Sequence, residues 1–154
     1  MHHKIFQLLL NCYPPYWGTG IVVEHVAPDY SEIRVRMKMK WYNRNYVKTH
    51  FGGSLYAMTD PFYMLMLIQI LGKTHVIWDK SASIDFIKPG RGAVNARFQV
   101  DSTIIQDILA HTANGQKYLK DLTVAITDEN GDNVATVVKT LYIRKQKPPA
   151  AESK

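Results

Sequence analysis

Residues 62–71 read FYMLMLIQIL, apolar on every side but for Gln69. A surface helix carries an apolar stripe, whereas a helix that is apolar nearly all round must be covered on most sides. The segment therefore predicts a buried central helix. The sequence around it has a different period. Residues 32–41, EIRVRMKMKW, alternate strictly: Ile33, Val35, Met37, Met39 and Trp41 face one way, Glu32, Arg34, Arg36, Lys38 and Lys40 the other. Period two over ten residues predicts a half-buried antiparallel strand.

Working outward, residues 21–27 read as a strand and PDYS (28–31) as a turn. Beyond the central segment, 83–88 and 93–100 read as strands around the turn KPGRG. Residues 102–112 suit a short amphipathic helix with Ile104, Ile105, Ile108 and Leu109 on one side and Gly115 stopping it. Residues 118–127 and 133–144 read as long strands joined by DENGD, whose Asn-Gly pair signals a hairpin. At the start, 1–12 suits a short helix packing Phe6, Leu9 and Leu10 inward. It is followed by CYPPYWGTG (12–20), a connection that a helix should not cross. Residues 146–154 read as a flexible, proline-containing tail. Two strands, a buried helix and four strands make an α+β chain, with a curved antiparallel sheet wrapped around a long central helix. No repeat or linker divides 1–154, which predicts a single domain with 1–18 as N-terminal helix and connection.

Composition narrows the setting. One cysteine, Cys12, rules out an intrachain disulfide and suits a reducing, cytoplasmic location. No uninterrupted apolar run reaches membrane-spanning length, and the start lacks a signal peptide's apolar region. The formal charge of +6 favours an anionic partner without choosing one. The basic face of 32–41 spaces its charges at about 6.8 Å, but Trp41 and Tyr42 sit at its end, not among the charges as base stacking needs. Nucleic acid is therefore not expected as a partner, nor is a membrane. The six histidines form no pair at zinc spacing, and no metal or other cofactor is expected.

The chemistry concentrates in THFGGSLYAMTD, residues 49–60. If Gly53 opens a helix that includes Asp60, seven residues separate them, about 10.5 Å along the axis. Free N–H groups at Gly52 and Gly53 would stabilise an oxyanion, whereas a base must lie within about 3 Å of the reacting centre. One chain cannot bring both to one substrate from this helix; two helices in an antiparallel dimer can.

Asn45 lies seven residues before Gly52 and Asp60 seven after Gly53; SIDFIKPGRG (83–92) follows one strand later. In these motifs and in element order, over roughly 20–144, the chain resembles the hotdog-fold acyl-CoA thioesterases, most of all the phenylacetate-degradation type. The resemblance implies a hotdog fold, a homodimer or dimer of dimers with sites at the interface, and a coenzyme A thioester as substrate. It implies that Gly52 and Gly53 hold the carbonyl oxygen, Asp60 serves as general base or nucleophile, and Asn45 orients water or the thioester. The family histidine directly precedes the glycines; here Phe51 stands there and His50 is one residue early. Phe51, Phe62, Tyr63 and Met66 are expected along a medium-chain or aryl acyl group. Asp79, Ser81 and Ser83 are expected near the thioester, and Lys88 and Arg91 near coenzyme A phosphates.

Each residue also has a structural reading. Asp60-Pro61 is a good helix start, with aspartate as N-cap and proline at N1. The glycine pair suits a turn with positive φ, and Asn45 suits a turn cap. Other functions for the same fold are a hydratase or dehydratase, which wants a histidine beside the acid, or a non-catalytic acyl-CoA-binding protein.

Overall fold

The computed structural model describes residues 1–146. Its elements are α1 (His3–Asn11), α2 (Pro14–Thr19), β1 (Ile21–Val26), β2 (Glu32–Lys38), α3 (Gly52–Ala57), α4 (Phe62–Leu71), β3 (His75–Phe86), β4 (Ala93–Gln99), α5 (Ser102–Thr112), β5 (Lys117–Asp128) and β6 (Asn133–Lys145). The six strands form one antiparallel sheet in the order β1-β2-β4-β5-β6-β3, so β1 and β3 are its edges.

The alternation of β2 holds where the strand exists: Ile33, Val35 and Met37 are buried. The strand ends at Lys38, three residues before the expected end, and Trp41 is 80% exposed. Asn43 causes the departure. Its buried amide donates to Thr19 O and Lys38 O and accepts from Lys40 N, folding the chain away from the sheet. The charged face is ion-paired across strands, Arg97 with Glu32 and Arg36 with Glu129.

Helix α4 buries Phe62, Tyr63, Met66 and Leu67, while Met64, Leu65, Ile68 and Ile70 are half-covered. Phe62 packs on Phe98 of β4 at 4.9 Å between ring centroids and on Tyr16 of α2 at 6.1 Å. The stretch Gly52–Thr74 is long and apolar enough to cross a membrane by composition. Here it supplies the core helix, and it is broken at Asp60-Pro61.

Three expectations at the N-terminus and in the strands are corrected. Phe6 is buried, but Leu9 is 56% exposed. CYPPYWGTG is not a plain connection: Pro14 and Pro15 occupy the first turn of α2, where their missing N–H groups cost nothing, and Gly20 ends it at φ 74°. Strand β3 starts at His75, eight residues before the expected strand, because its alternation is interrupted by a bulge between Asp79 and Ser81. Within α5, Ile108 is buried and Leu109 is 45% exposed. The expected tail lies, but for Gln146, outside the described residues.

Candidate active site

The backbone around Asp60 is not one helix. α3 closes tightly, with Thr59 N and Oγ1 donating to Tyr56 O at 2.9 and 2.8 Å and Asp60 N to Ala57 O at 3.4 Å. α4 then starts after Pro61, whose ring cannot continue the ladder. The continuous two-turn helix from Gly53 to Asp60 is thus overturned, and so is the capping alternative. Pro61, not Asp60, is the N-cap, and among the described residues no side chain caps α4. Asp60 is left on an elbow between the two helices, its backbone spent locally and its carboxylate free for other work.

That carboxylate is held at one oxygen. Tyr56 Oη donates to Asp60 Oδ1 at 2.9 Å, and Lys139 Nζ donates to the same Oδ1 at 2.9 Å. Lys139 comes from β6 with 1% of its side chain exposed, and its ammonium also lies 3.3 Å from Asp79 Oδ1 and 5.4 Å from the Tyr56 ring centroid. Among the described residues no donor reaches Asp60 Oδ2, and the Asp60 side chain is 49% exposed. Burial works against the Lys139 charge, but the hydrogen bond to Asp60 and the nearby carboxylates raise its pKa on balance. Burial raises the Asp79 carboxyl, with Lys139 pulling it down and Asp60 pushing it up. Tyr56 is raised chiefly by burial and by its bond to Asp60.

Asp60 lines an aromatic cleft of about 380 Å³ together with Leu10, Tyr13, Pro15, Tyr16, Pro61 and Leu65 among others. The α1–α2 segment supplies one wall and the α3–α4 elbow the opposite one. Tyr16 is buried, its hydroxyl has no hydrogen-bond partner among the described residues, and its pKa is raised by burial and then by the Asp60 charge.

Gly52 belongs to a different cleft, of about 400 Å³, with Asn45, Thr49, His50, Leu55, Phe86 and Lys88. Neither Gly52 nor Gly53 has positive φ, so the turn explanation for the pair fails. Both glycines instead lie against aromatic rings. A Cβ on Gly52 would come 3.0 Å from Phe86 Cζ, and one on Gly53 would come 2.4 Å from Phe51 Cε1. Phe51, 57% exposed, thus lies over the start of α3. The first N–H groups of α3 have no intrahelical acceptor, and no side chain caps them.

The remaining predicted residues separate clearly. His50 is buried, and its Nε2 donates to Gly92 O at 3.0 Å. Among the described residues its Nδ1 has no partner, and burial lowers its pKa. The Asn45 amide is used within its own loop, donating to Thr49 Oγ1 at 2.9 Å and accepting from Thr49 N at 3.0 Å, as the turn-cap reading had it. Phe62, Tyr63 and Met66 lie in the core, with Tyr63 Oη donating to Thr123 O, rather than along either cleft. Ser81 and Ser83 are exposed on the β3 edge. Lys88 is engaged by Asp128 and Asp132, both at 2.7 Å, and Arg91 is exposed.

Tyr56 and Lys139 went unpredicted. For Lys139 the signal was present: it stands in phase with Val137, Leu141 and Ile143, a lysine on the apolar face of an alternating strand. Tyr56 had no such signal, because its role depends on where the elbow turns Asp60.

Solved structures share this architecture. A Pseudomonas aeruginosa protein of unknown function, described as a probable thioesterase, matches with a TM-score of 0.83 and 18% identity, over 95% of this chain and 97% of its own. A Haemophilus influenzae thioesterase matches with a TM-score of 0.68 and 13% identity, over 97% and 94%. A mutant form of the phenylacetic acid degradation protein PaaI of Thermus thermophilus matches with a TM-score of 0.57 and 23% identity, over 84% and 98%. At these identities the likeness establishes the hotdog fold, as expected from the motif spacing and element order. No curated protein is significantly similar in sequence. The family model described as "Domain of unknown function (DUF4442)" matches residues 2–143, and the chain belongs to that family.

Proposed function

We propose that the protein is a thioester hydrolase acting on a medium-chain or aryl acyl-CoA, at a site shared by two copies of the chain. One observation carries the reading: a half-exposed carboxylate, anchored through one oxygen and open at the other, lines an apolar cleft on a fold shared with proteins named thioesterases. Asp60 Oδ2 accepts a proton from water as the water oxygen attacks the thioester carbon. The tetrahedral intermediate then collapses, the C–S bond breaks, and the thiolate leaves to take up a proton. The alternative, direct attack by Oδ2, passes through an anhydride that water opens.

The oxyanion donors come from the second copy, through its Gly52 and Gly53 amides. Within one chain Gly52 and Asp60 line separate clefts, which supports a shared site. The long β3 edge, 12 residues with Trp78 and Phe86 exposed, offers unpaired backbone along which a second copy can add its own strand. The acyl group fits the cleft between Tyr13, Tyr16 and Leu65 rather than the core residues around Phe62.

The test is complementation. Asp60→Asn and Gly53→Val proteins are each assayed alone against a panel of acyl-CoA thioesters, then mixed after dissociation and reassociation. Recovery of about a quarter to a half of wild-type activity on mixing is expected, because a mixed dimer regains one intact site. Wild-type rates for Asp60→Asn alone would sink the assignment, and binding of acyl-CoA without turnover by wild type would mark a binding protein.

A further inference from the structure

We infer that Lys139 is a positioning residue: with Tyr56 it fixes Asp60 by Oδ1, which leaves Oδ2 as the oxygen presented to water and substrate, and it neutralises the second carboxylate, Asp79. The role of Oδ2 rests on the thioesterase reading; the role of the lysine between two carboxylates does not.

Among the described residues, Lys139 is the one charged residue in the set of largest fully buried side chains. Lysine is almost never fully buried unless paired. Stability alone is a weak reason to keep it, since apolar replacements of buried ion pairs are often neutral or better. Its geometry gives a stronger reason. The bulge after Asp79 leaves that residue opposite Leu141, on the inward face of the sheet, so that Asp79 and Asp60 reach the same ammonium from two elements. Two carboxylates that share a site disfavour each other's ionisation, and a cation between them offsets this. A proton caught by the pair would remove the base. Lys139 opposes that, and two donors on Oδ1 keep the Asp60 carboxylate from turning.

The ionisable groups around the lysine are few. Tyr56 faces it from α3, Asp60 from the α3–α4 elbow and Asp79 from β3, while Tyr16 of α2 feels the Asp60 charge across the cleft. Removing Lys139 takes away the influences that lower Asp79 and leaves burial and Asp60, both of which raise it.

The experiment compares wild type, Lys139→Met, Asp79→Asn and the double variant by two readouts. One is carbon-13 NMR titration of the Asp79 carboxyl in wild type and Lys139→Met, which needs no turnover. The other is the pH profile of kcat/KM with an acyl-CoA ester. In Lys139→Met the Asp79 carboxyl should titrate at least about one pH unit higher, and the acidic limb should move up with it, with kcat falling more than KM changes. The double variant should bring the limb back toward wild type, because the second carboxylate is gone. Asp79→Asn alone keeps the lysine and should shift the limb to lower pH, which decides the matter if Lys139→Met fails to fold. A Lys139→Met protein with lower activity but an unmoved limb and unmoved Asp79 titration would overturn the inference and leave the lysine a structural residue. No turnover by wild type defeats the thioesterase reading, while the carboxyl titration still decides the lysine.

Discussion

Phe62 offers a direct test of how the site and core are divided. Its ring has no exposed surface, stacks on Tyr16 at 6.1 Å and meets Phe98 at 4.9 Å, and its place is the inner face of α4 rather than a cleft. Phe62→Ala removes most of a fully buried aromatic side chain in a neighbourhood of other buried rings that can collapse only partly. Such a deletion costs about 3–5 kcal/mol, and the lost ring contacts lie within that sum. Against a typical total of about 5–15 kcal/mol, the variant should stay folded in the cold but lose a large share of its margin. For a domain of this size each kcal/mol lowers Tm by about 2–4 °C, so a fall of roughly 6–20 °C is expected by differential scanning calorimetry or fluorescence. The milder Phe62→Leu should lose about 1–2 kcal/mol. It should keep the KM for a medium-chain acyl-CoA within about twofold, since the residue does not touch the cleft. Leu65→Ala, on the cleft wall and half-covered, should do the reverse and change KM more than Tm. If Phe62→Ala melts within about 2 °C of wild type, or Phe62→Leu shifts KM about tenfold at unchanged Tm, the division of core from cleft is wrong.

Other perturbations test other joints of the structure. Gly90→Ala would place a Cβ 2.9 Å from Cγ1 of Val134, which is fully buried, and 3.4 Å from the His50 ring. It should cost about 1–3 kcal/mol as overpacking, read in urea unfolding with the m-value unchanged. His50 and His75 are both held below the usual histidine value, chiefly by burial; the Gly92 bond opposes this at His50 and Lys145 adds to it at His75. Between those lowered values and about 6.5 the unfolded chain binds more protons than the native one, so stability falls as pH falls through that window. Tm should therefore be lower at pH 5 than at pH 7, and His50→Gln, which can still donate to Gly92 O, should flatten the slope. Asp79, raised by burial, gives the opposite slope at lower pH, so the difference between variant and wild type isolates His50. Finally, single-turnover hydrolysis in oxygen-18 water tests the nucleophilic role proposed for Asp60: label found in the Asp60 carboxylate by mass spectrometry marks a nucleophile whose anhydride water opens at the Asp60 carbon, since a general base gains no oxygen.

Much of the fold could be read from periodicity, because burial on one face of a strand or all round a helix leaves its mark residue by residue. α5 and the β5–β6 hairpin came out close to their observed bounds for that reason. The departures have local causes that pattern alone does not carry. Asn43 ends β2 by bonds to residues 24 and 5 positions away in sequence. A bulge hid the first half of β3, and two prolines that suggested a break instead begin α2.

The site divides in the same way. By itself the sequence determined the α+β element order and the spacing of Asn45, Gly52, Gly53 and Asp60, which depend on period and count along the chain, while the hotdog fold and the offset of His50 were what the resemblance implied. Only the tertiary structure decided that Asp60 stands on an elbow rather than inside a helix or at its cap, and that the glycines lie against the Phe86 and Phe51 rings without positive φ. It alone decided that a lysine 79 residues downstream holds the acid. The physical reason is that a carboxylate's partner is chosen by where strands cross the helix in space, and β6 passes under Asp60 through pairings that no local pattern records.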